Sequence, residues 1–459
     1  MAFSGGLTGG DEGPSLRRRI VYTLLLLLLF RLLAQIPAAN VNEERLHQLL
    51  ASNPLLGVVD VFAGGDVLSH FSMAAAGLVP FMAAFFLVEF ISLSIPALRR
   101  LWGIEEFSET AFEKRKKRME IGVKVASVPL AFLFAWVLSQ YLGAQSEISS
   151  HQMHWFSRAS FRSSLGTISL VTVGSLISTW IADVITKKGI GEGKDEILLV
   201  GSSLTFVKQI LQIAKQSHGM AAAAWHVGLA LLCGVAVVAF SVYLLKAERK
   251  IPVTYPKRNV SDSARRRLQS SPSLPLRLNG GYVLAVTAAI GIMAVPEFFR
   301  ALLASHSWAA GTVVVRVLSA WTSEKTAWYW LSLACLMVVF TYFYNIGIVM
   351  GWTSLKGLPI AEKLKKEGAY IPGFRPGQTT QKYLLRITRA ISLPGGLALA
   401  FLLAGMPYII LRLTGVNTLV TMLSVVVMVG TVGNLRGYLE MYKGMESYAG
   451  LLRRAGERT

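Results

Sequence analysis

The stretch KRKKRMEIGVKVASVPLAFLFAWVLSQYL, residues 114–142, sets five consecutive Lys and Arg directly before an apolar run of membrane-spanning length. A hydrocarbon core about 30 Å thick is crossed by roughly 20 apolar helical residues. A Lys/Arg-rich flank keeps its end of the helix in the cytoplasm. The same pairing recurs in both directions from this point. Arg17, Arg18 and Arg19 precede the first apolar stretch, Lys246 to Arg277 form a basic connection after the sixth, and Lys356 to Arg389 another after the eighth. The connections in between hold few positive charges. Ten spans are expected, at about 20–36, 73–95, 119–142, 165–186, 196–213, 221–245, 279–303, 327–351, 391–411 and 415–435. An even number puts both termini on one side, and the basic flanks make that side cytoplasmic. The expectation is an all-α, multi-pass protein of the cytoplasmic (inner) membrane.

Composition agrees. The 459 residues are 53% hydrophobic, with a mean hydropathy of +0.50. The net charge of +20 invites a nucleic-acid reading, but the positive-inside pattern accounts for most of it. The first apolar stretch has no small-residue cleavage site before Pro37 and is read as a retained span, not a signal peptide. Cys233 and Cys335 lie in separate apolar stretches with no CxxC spacing, which supports neither a disulfide framework nor a metal site. His151 and His154, spaced HxxH, have no third ligand nearby and are read as incidental.

Residues 1–16 read as a loose, Gly-rich tail. Two basic connections are too long for simple turns. In 246–277 the alternation of Ile251, Val253 and Tyr255 predicts a short ribbon, followed by the basic tip SDSARRRLQSSPS. In 352–390 a helical EKLKKEG piece precedes IPGFRPG, where Pro372, Gly373, Pro376 and Gly377 set a bend. Residues 57–72, GVVDVFAGGDVLSHFS, are semi-apolar but too short and broken to cross. Asp60, Asp66 and His70 are costly in lipid. The segment reads either as a re-entrant element sheltered inside protein or as a plain external loop.

Several blocks, taken in order, resemble one family. FAGGDVLSHFS at 62–72 and GLVPFM at 77–82 resemble the plug and the start of the second helix of the SecY family, the pore subunits of bacterial-type protein-conducting channels. KGIGEG at 188–193, RKIPVTYPKR at 249–258, LPLRLN at 274–279 and FTYFYN at 340–345 follow in family order. The closest block is LKKEGAYIPGFRPGQTTQKYL at 364–384.

The resemblance implies ten helices in two pseudo-symmetric five-helix halves, 1–220 and 221–459, around an hourglass pore with a lateral gate. It implies a non-enzymatic channel without cofactors that passes unfolded secretory proteins and releases membrane segments into lipid. Its partners would be SecE-like and SecG-like small membrane subunits, the SecA ATPase or the ribosome, unfolded preproteins and membrane lipids. Carried over by motif, the apolar pore ring falls on Leu78, Met82, Leu198 and Thr287. The plug falls on 58–71, with Asp60, Phe62, Gly64 and Gly65. Glu89 falls at the lateral gate, in the seam of the second, third and seventh spans, and motor or ribosome docking falls on Arg249, Lys250, Lys257, Arg258 and Arg375.

There are departures. Thr287 stands where the family has an aliphatic residue, one extra residue adjoins Asp66, and Lys194, Asp195 and Glu196 replace an apolar run. Residues 304–326 and the last span match poorly, and the ring position in that span is not assigned. These suggest a divergent, accessory member with a narrower substrate set. A small-solute secondary transporter is the competing reading, but its matching midplane charges in both halves are missing. A membrane-embedded enzyme would need paired carboxylates or HExxH within spans, and the sequence has none.

Overall fold

In lipid every backbone N–H and C=O has to be satisfied within its own segment, so spans of this composition fold as helices. The computed structural model describes residues 16–38, 54–94, 109–147, 161–216, 220–254, 273–304, 326–350, 359–415 and 417–456, with a few isolated positions between them. Each of the ten expected spans falls on a helix. In order these are α1 (Leu16–Ala34), then a short α2 (Pro54–Ala63), α3 (Val79–Ser94), α4 (Glu109–Glu147), α5 (Phe161–Lys188), α6 (Gly193–Gln216) and α7 (Met220–Lys246). A ribbon of β1 (Glu248–Pro252) and β2 (Ser273–Arg277) follows. After it come α8 (Tyr282–Ala304), α9 (Ala327–Met350), a short α10 (Ile360–Lys366), α11 (Gln378–Ala400), α12 (Met406–Thr414) and α13 (Leu419–Gly456). Among the described residues, seven helical stretches are long and apolar enough to cross a membrane by length and composition, and Val79–Glu89 and Tyr282–Pro296 are shorter apolar helices.

Several boundaries differ from the hydropathy reading, and the third span's helix already begins at Glu109. The second span begins at Val79 rather than residue 73, because 64–78 runs as turns. The ninth begins at Gln378, four turns early, and runs through a π-helical turn at Phe401–Gly405 into α12. The tenth continues to Gly456. Polar helix ends that project past the bilayer carry no apolar signal.

The predicted ribbon is present. β1 pairs antiparallel with β2, Glu248 opposite Arg277, and leaves Ile251 inward while its neighbours stay exposed. Thr254 then bridges to Tyr370, so the two long connections fold together. Ile251, Val253 and Leu276 of the first share an apolar cluster with Ala369, Ile371 and Leu384 of the second. Tyr255 and the basic tip lie outside the described residues.

The odd segment 57–72 lies inside protein. Val58, Val61, Ala63 and Val67 are fully buried, which leaves no room for the external-loop reading. Its C-terminal end returns to the end of α1, where Ala38 N–H donates to Phe71 O (2.9 Å) and Met73 N–H to Ile36 O (2.7 Å). The excursion from α1 to α3 is therefore closed at its neck.

Candidate functional site

α2 packs against α6, α8 and α13, and its end meets α3. Its apolar residues Val58, Val61 and Phe62 share one cluster with Leu198 of α6, Val286 of α8 and Val426 of α13. The element thus sits where helices from both ends of the chain converge.

A sharp turn follows α2, and its geometry is set by backbone contact. Gly65 lies against α6 so closely that a Cβ there would be 2.2 Å from Gly201 O, and a Cβ on Gly201 would be 2.2 Å from Gly64 O. Gly65 also takes φ +68°, a conformation side chains disfavour. Only glycine on both strands of this contact allows the turn to seat. Asp60 stabilises the turn from within: its carboxylate accepts from the N–H groups of Asp66 (2.7 Å), Val67 (2.9 Å) and Leu68 (2.8 Å). Burial raises the Asp60 carboxyl above its ordinary value, against those hydrogen bonds, which lower it.

Two cations reach the turn from neighbouring helices. Arg31 of α1 donates to Gly65 O and Gly64 O, both at 2.7 Å. Lys208 of α6 pairs with the Asp66 carboxylate and lies 3.4 Å from Ser69 Oγ. Neither residue was singled out from sequence, although each is a charge inside an otherwise apolar run, the signal that usually marks function.

The ring candidates are buried or half-buried in protein but do not form a single cluster. Leu198 contacts the α2 cluster directly. Leu78 is fully buried in an adjoining cluster with Ala63 and Ile197. Met82 is half-buried and turned toward α4, with Phe81 and Val123. Thr287 is buried, and its hydroxyl donates back to Val283 O (2.7 Å) and Leu284 O (3.0 Å) in its own helix. With the hydroxyl satisfied there, its methyl is left to act much as a valine would.

Glu89 is buried, at 3% exposure. One turn earlier Phe86 packs edge-on against Tyr344 of α9, ring centroids 6.1 Å apart. α3 packs on α4, and α4 reaches α8. Through Phe86, α3 thus also meets the eighth span, α9.

Two residues of the charged triplet at the head of α6, and Glu192 just before it, make structural contacts. Lys194 lies 3.9 Å from the centroid of the Phe81 ring, and Asp195 accepts from Asn434 of α13 at 2.8 Å. Tyr438 of α13 donates to Glu192 at 3.1 Å.

Of the docking candidates, Arg249 and Lys250 are exposed on β1, and Arg375 is exposed in the bend before α11. That bend is rigid: Thr380 Oγ1 donates to Arg375 O (2.8 Å), and Phe374 stacks on Tyr383 with centroids 4.0 Å apart. Lys257 and Arg258 lie outside the described residues.

The SecY family model matches residues 72–435, most of the chain. The chain belongs to the SecY family. The SecY protein translocase subunit of Aquifex aeolicus (strain VF5) is 27% identical over 398 residues, covering 85% of this chain and 86% of the relative. A solved SecY structure, whose plug domain is described as stabilising the closed state of the translocation channel and maintaining a membrane seal, superposes with a TM-score of 0.61. It has 16% identity and covers 94% of this chain and 95% of that one. Sec61 in a canine ribosome-channel complex from the endoplasmic reticulum gives a TM-score of 0.62 at 13% identity, with 94% and 95% coverage. The fold is the ten-helix SecY/Sec61 fold. The family model begins at Ser72, just after the α2 turn, so reading that turn as a plug rests on the motif at 62–72 and on its burial and position.

Proposed function

We propose that this chain is the pore subunit of a protein-conducting channel, which passes unfolded polypeptides across a membrane and releases apolar segments sideways into lipid. The observation that carries this reading is α2, a short buried helix seated among α6, α8 and α13, whose following turn is pinned beside the end of α1. A solute carrier has no use for such a stopper. A conduit wide enough for a chain needs one at rest.

In this reading the halves are 1–220 and 221–459, and 58–71 is the plug. Leu78, Met82, Leu198 and Thr287 supply an apolar constriction, which disfavours water and ions without gripping a moving polypeptide. Glu89 lies at the lateral gate, where polar contacts of about 1 kcal/mol each permit reversible opening. The basic face of β1 and the Arg375 bend docks the SecA ATPase or a ribosome. The channel itself needs no catalytic group. SecE-like and SecG-like subunits complete it in the cytoplasmic membrane, with both termini cytoplasmic. The charged head of α6 favours an accessory member over a general one.

The test is uptake of secretory precursors into vesicles holding the chain with its copurifying membrane subunits, with SecA and ATP, read as protection from added protease. Absence of uptake under conditions where a general SecY complex works would sink the reading. Copurification of a single-span SecE-like subunit is the supporting observation.

A further inference from the structure

We propose that Arg31 and Lys208 form a two-point cationic latch that holds the plug turn against Gly201 and sets how often the resting channel opens. This rests on the reading of 58–71 as the plug. The guanidinium of Arg31 spans two successive carbonyls, Gly64 O and Gly65 O, at 2.7 Å each. Such a planar fork fixes orientation as well as position, which a point charge does not. Lys208 holds the next residue by its side chain, through the Asp66 carboxylate. Asp66 is a non-glycine residue at φ +60°, a conformation that persists only where surrounding contacts enforce it. The contacts include the Asp60 oxygen on its N–H and Lys208 on its carboxylate, which Ser69 Oγ and His70 also meet.

Both cations come from the first half of the chain. α2 itself packs on α6 and also on α8 and α13, with Gly57 against Val420 of α13. The turn is thus anchored to α1 and α6 by directional bonds, while the contacts of α2 with α8 and α13 are non-directional packing. Separation of the two sides breaks the apolar contact first and leaves the turn with α1 and α6 until the latch gives way.

The experiment measures opening frequency without substrate, for the full chain with its copurifying subunits in planar bilayers. Arg31→Leu is expected to raise it by about tenfold or more, since two charge-assisted bonds are lost. Lys208→Met is expected to raise it by roughly two- to fivefold, the pair being partly open to solvent. The double reversal Asp66→Lys with Lys208→Asp should return to near wild type, while each single reversal leaks more than Lys208→Met. Should Arg31→Leu fail to accumulate, Arg31→Lys keeps the charge without the fork and is expected to open more often than wild type; an unchanged frequency there counts against the latch. A deletion of 58–71 separates the two levels. A leaky deletion beside quiet Arg31 and Lys208 variants overturns the latch alone. A deletion as quiet as wild type removes the plug assignment, and the latch with it.

Discussion

Asp60 has two oxygens and almost no solvent, and three successive backbone N–H groups supply what water would have given. Asp60→Ala leaves those donors buried and unmet, at about 1–3 kcal/mol each. The expected outcome is a channel that inserts but leaks ions at rest, with Asp60→Asn milder because one oxygen still accepts. Thr287 is the opposite case: its hydroxyl is already spent on its own helix, so Thr287→Val should change precursor uptake by less than about twofold. Glu89→Gln should likewise leave translocation largely intact, and a complete loss of uptake would remove Glu89 from the gate. At this scale the sequence was partly legible. Leu78 and Leu198 could be placed because their motifs are short and ordered. Arg31 and Lys208 were passed over because the hydropathy pattern treats a lone charge in an apolar run as noise, when in a bilayer it is the exception needing a partner.

α6 shows why elements carry more than their residues. Leu198, Gly201, Thr205 and Lys208 fall at helical spacing along one side, giving an apolar contact, a backbone contact and a charge to the same neighbour. Gly201→Val should push the turn off α6 and raise resting leak, with the protein still extracted as a monodisperse complex. Sequence periodicity could not show this face, since a glycine and a lysine on it blur the apolar stripe. Helix ends were misjudged at α11 and α13 for a related reason: beyond the bilayer the chain stays helical while turning polar. The ribbon was legible from strand alternation, but its bond to the second connection was not. The Thr254–Tyr370 bridge joins residues more than a hundred positions apart. Arg375→Glu, on the surface that this joint stiffens, should abolish motor-driven uptake while leaving insertion and expression normal.

On the scale of the whole molecule, the two ends of the chain are tied at the basic side. Arg19 of α1 lies 3.3 Å from Tyr442 Oη of α13 and 5.0 Å from its ring centroid, beside the Asp195–Asn434 and Glu192–Tyr438 bonds. With α6 also packed along α13, fragments 1–220 and 221–459 expressed together should copurify in mild detergent. Recovery of neither with the other would argue against two halves joined by this seam. The all-α class and the order of the spans were readable throughout, because the alternation of charge and apolar length survives divergence. The convergence on α2 was not, since it depends on contacts between helices far apart in sequence.

The pinned neck of the segment between Ile36 and Met73 has a kinetic corollary. A stopper leashed at both ends never leaves its socket's neighbourhood, so its return is a unimolecular event at high effective concentration. Resealing after each passenger should therefore proceed at a rate indifferent to how many copies the membrane holds, and faster than a free cork could find the hole.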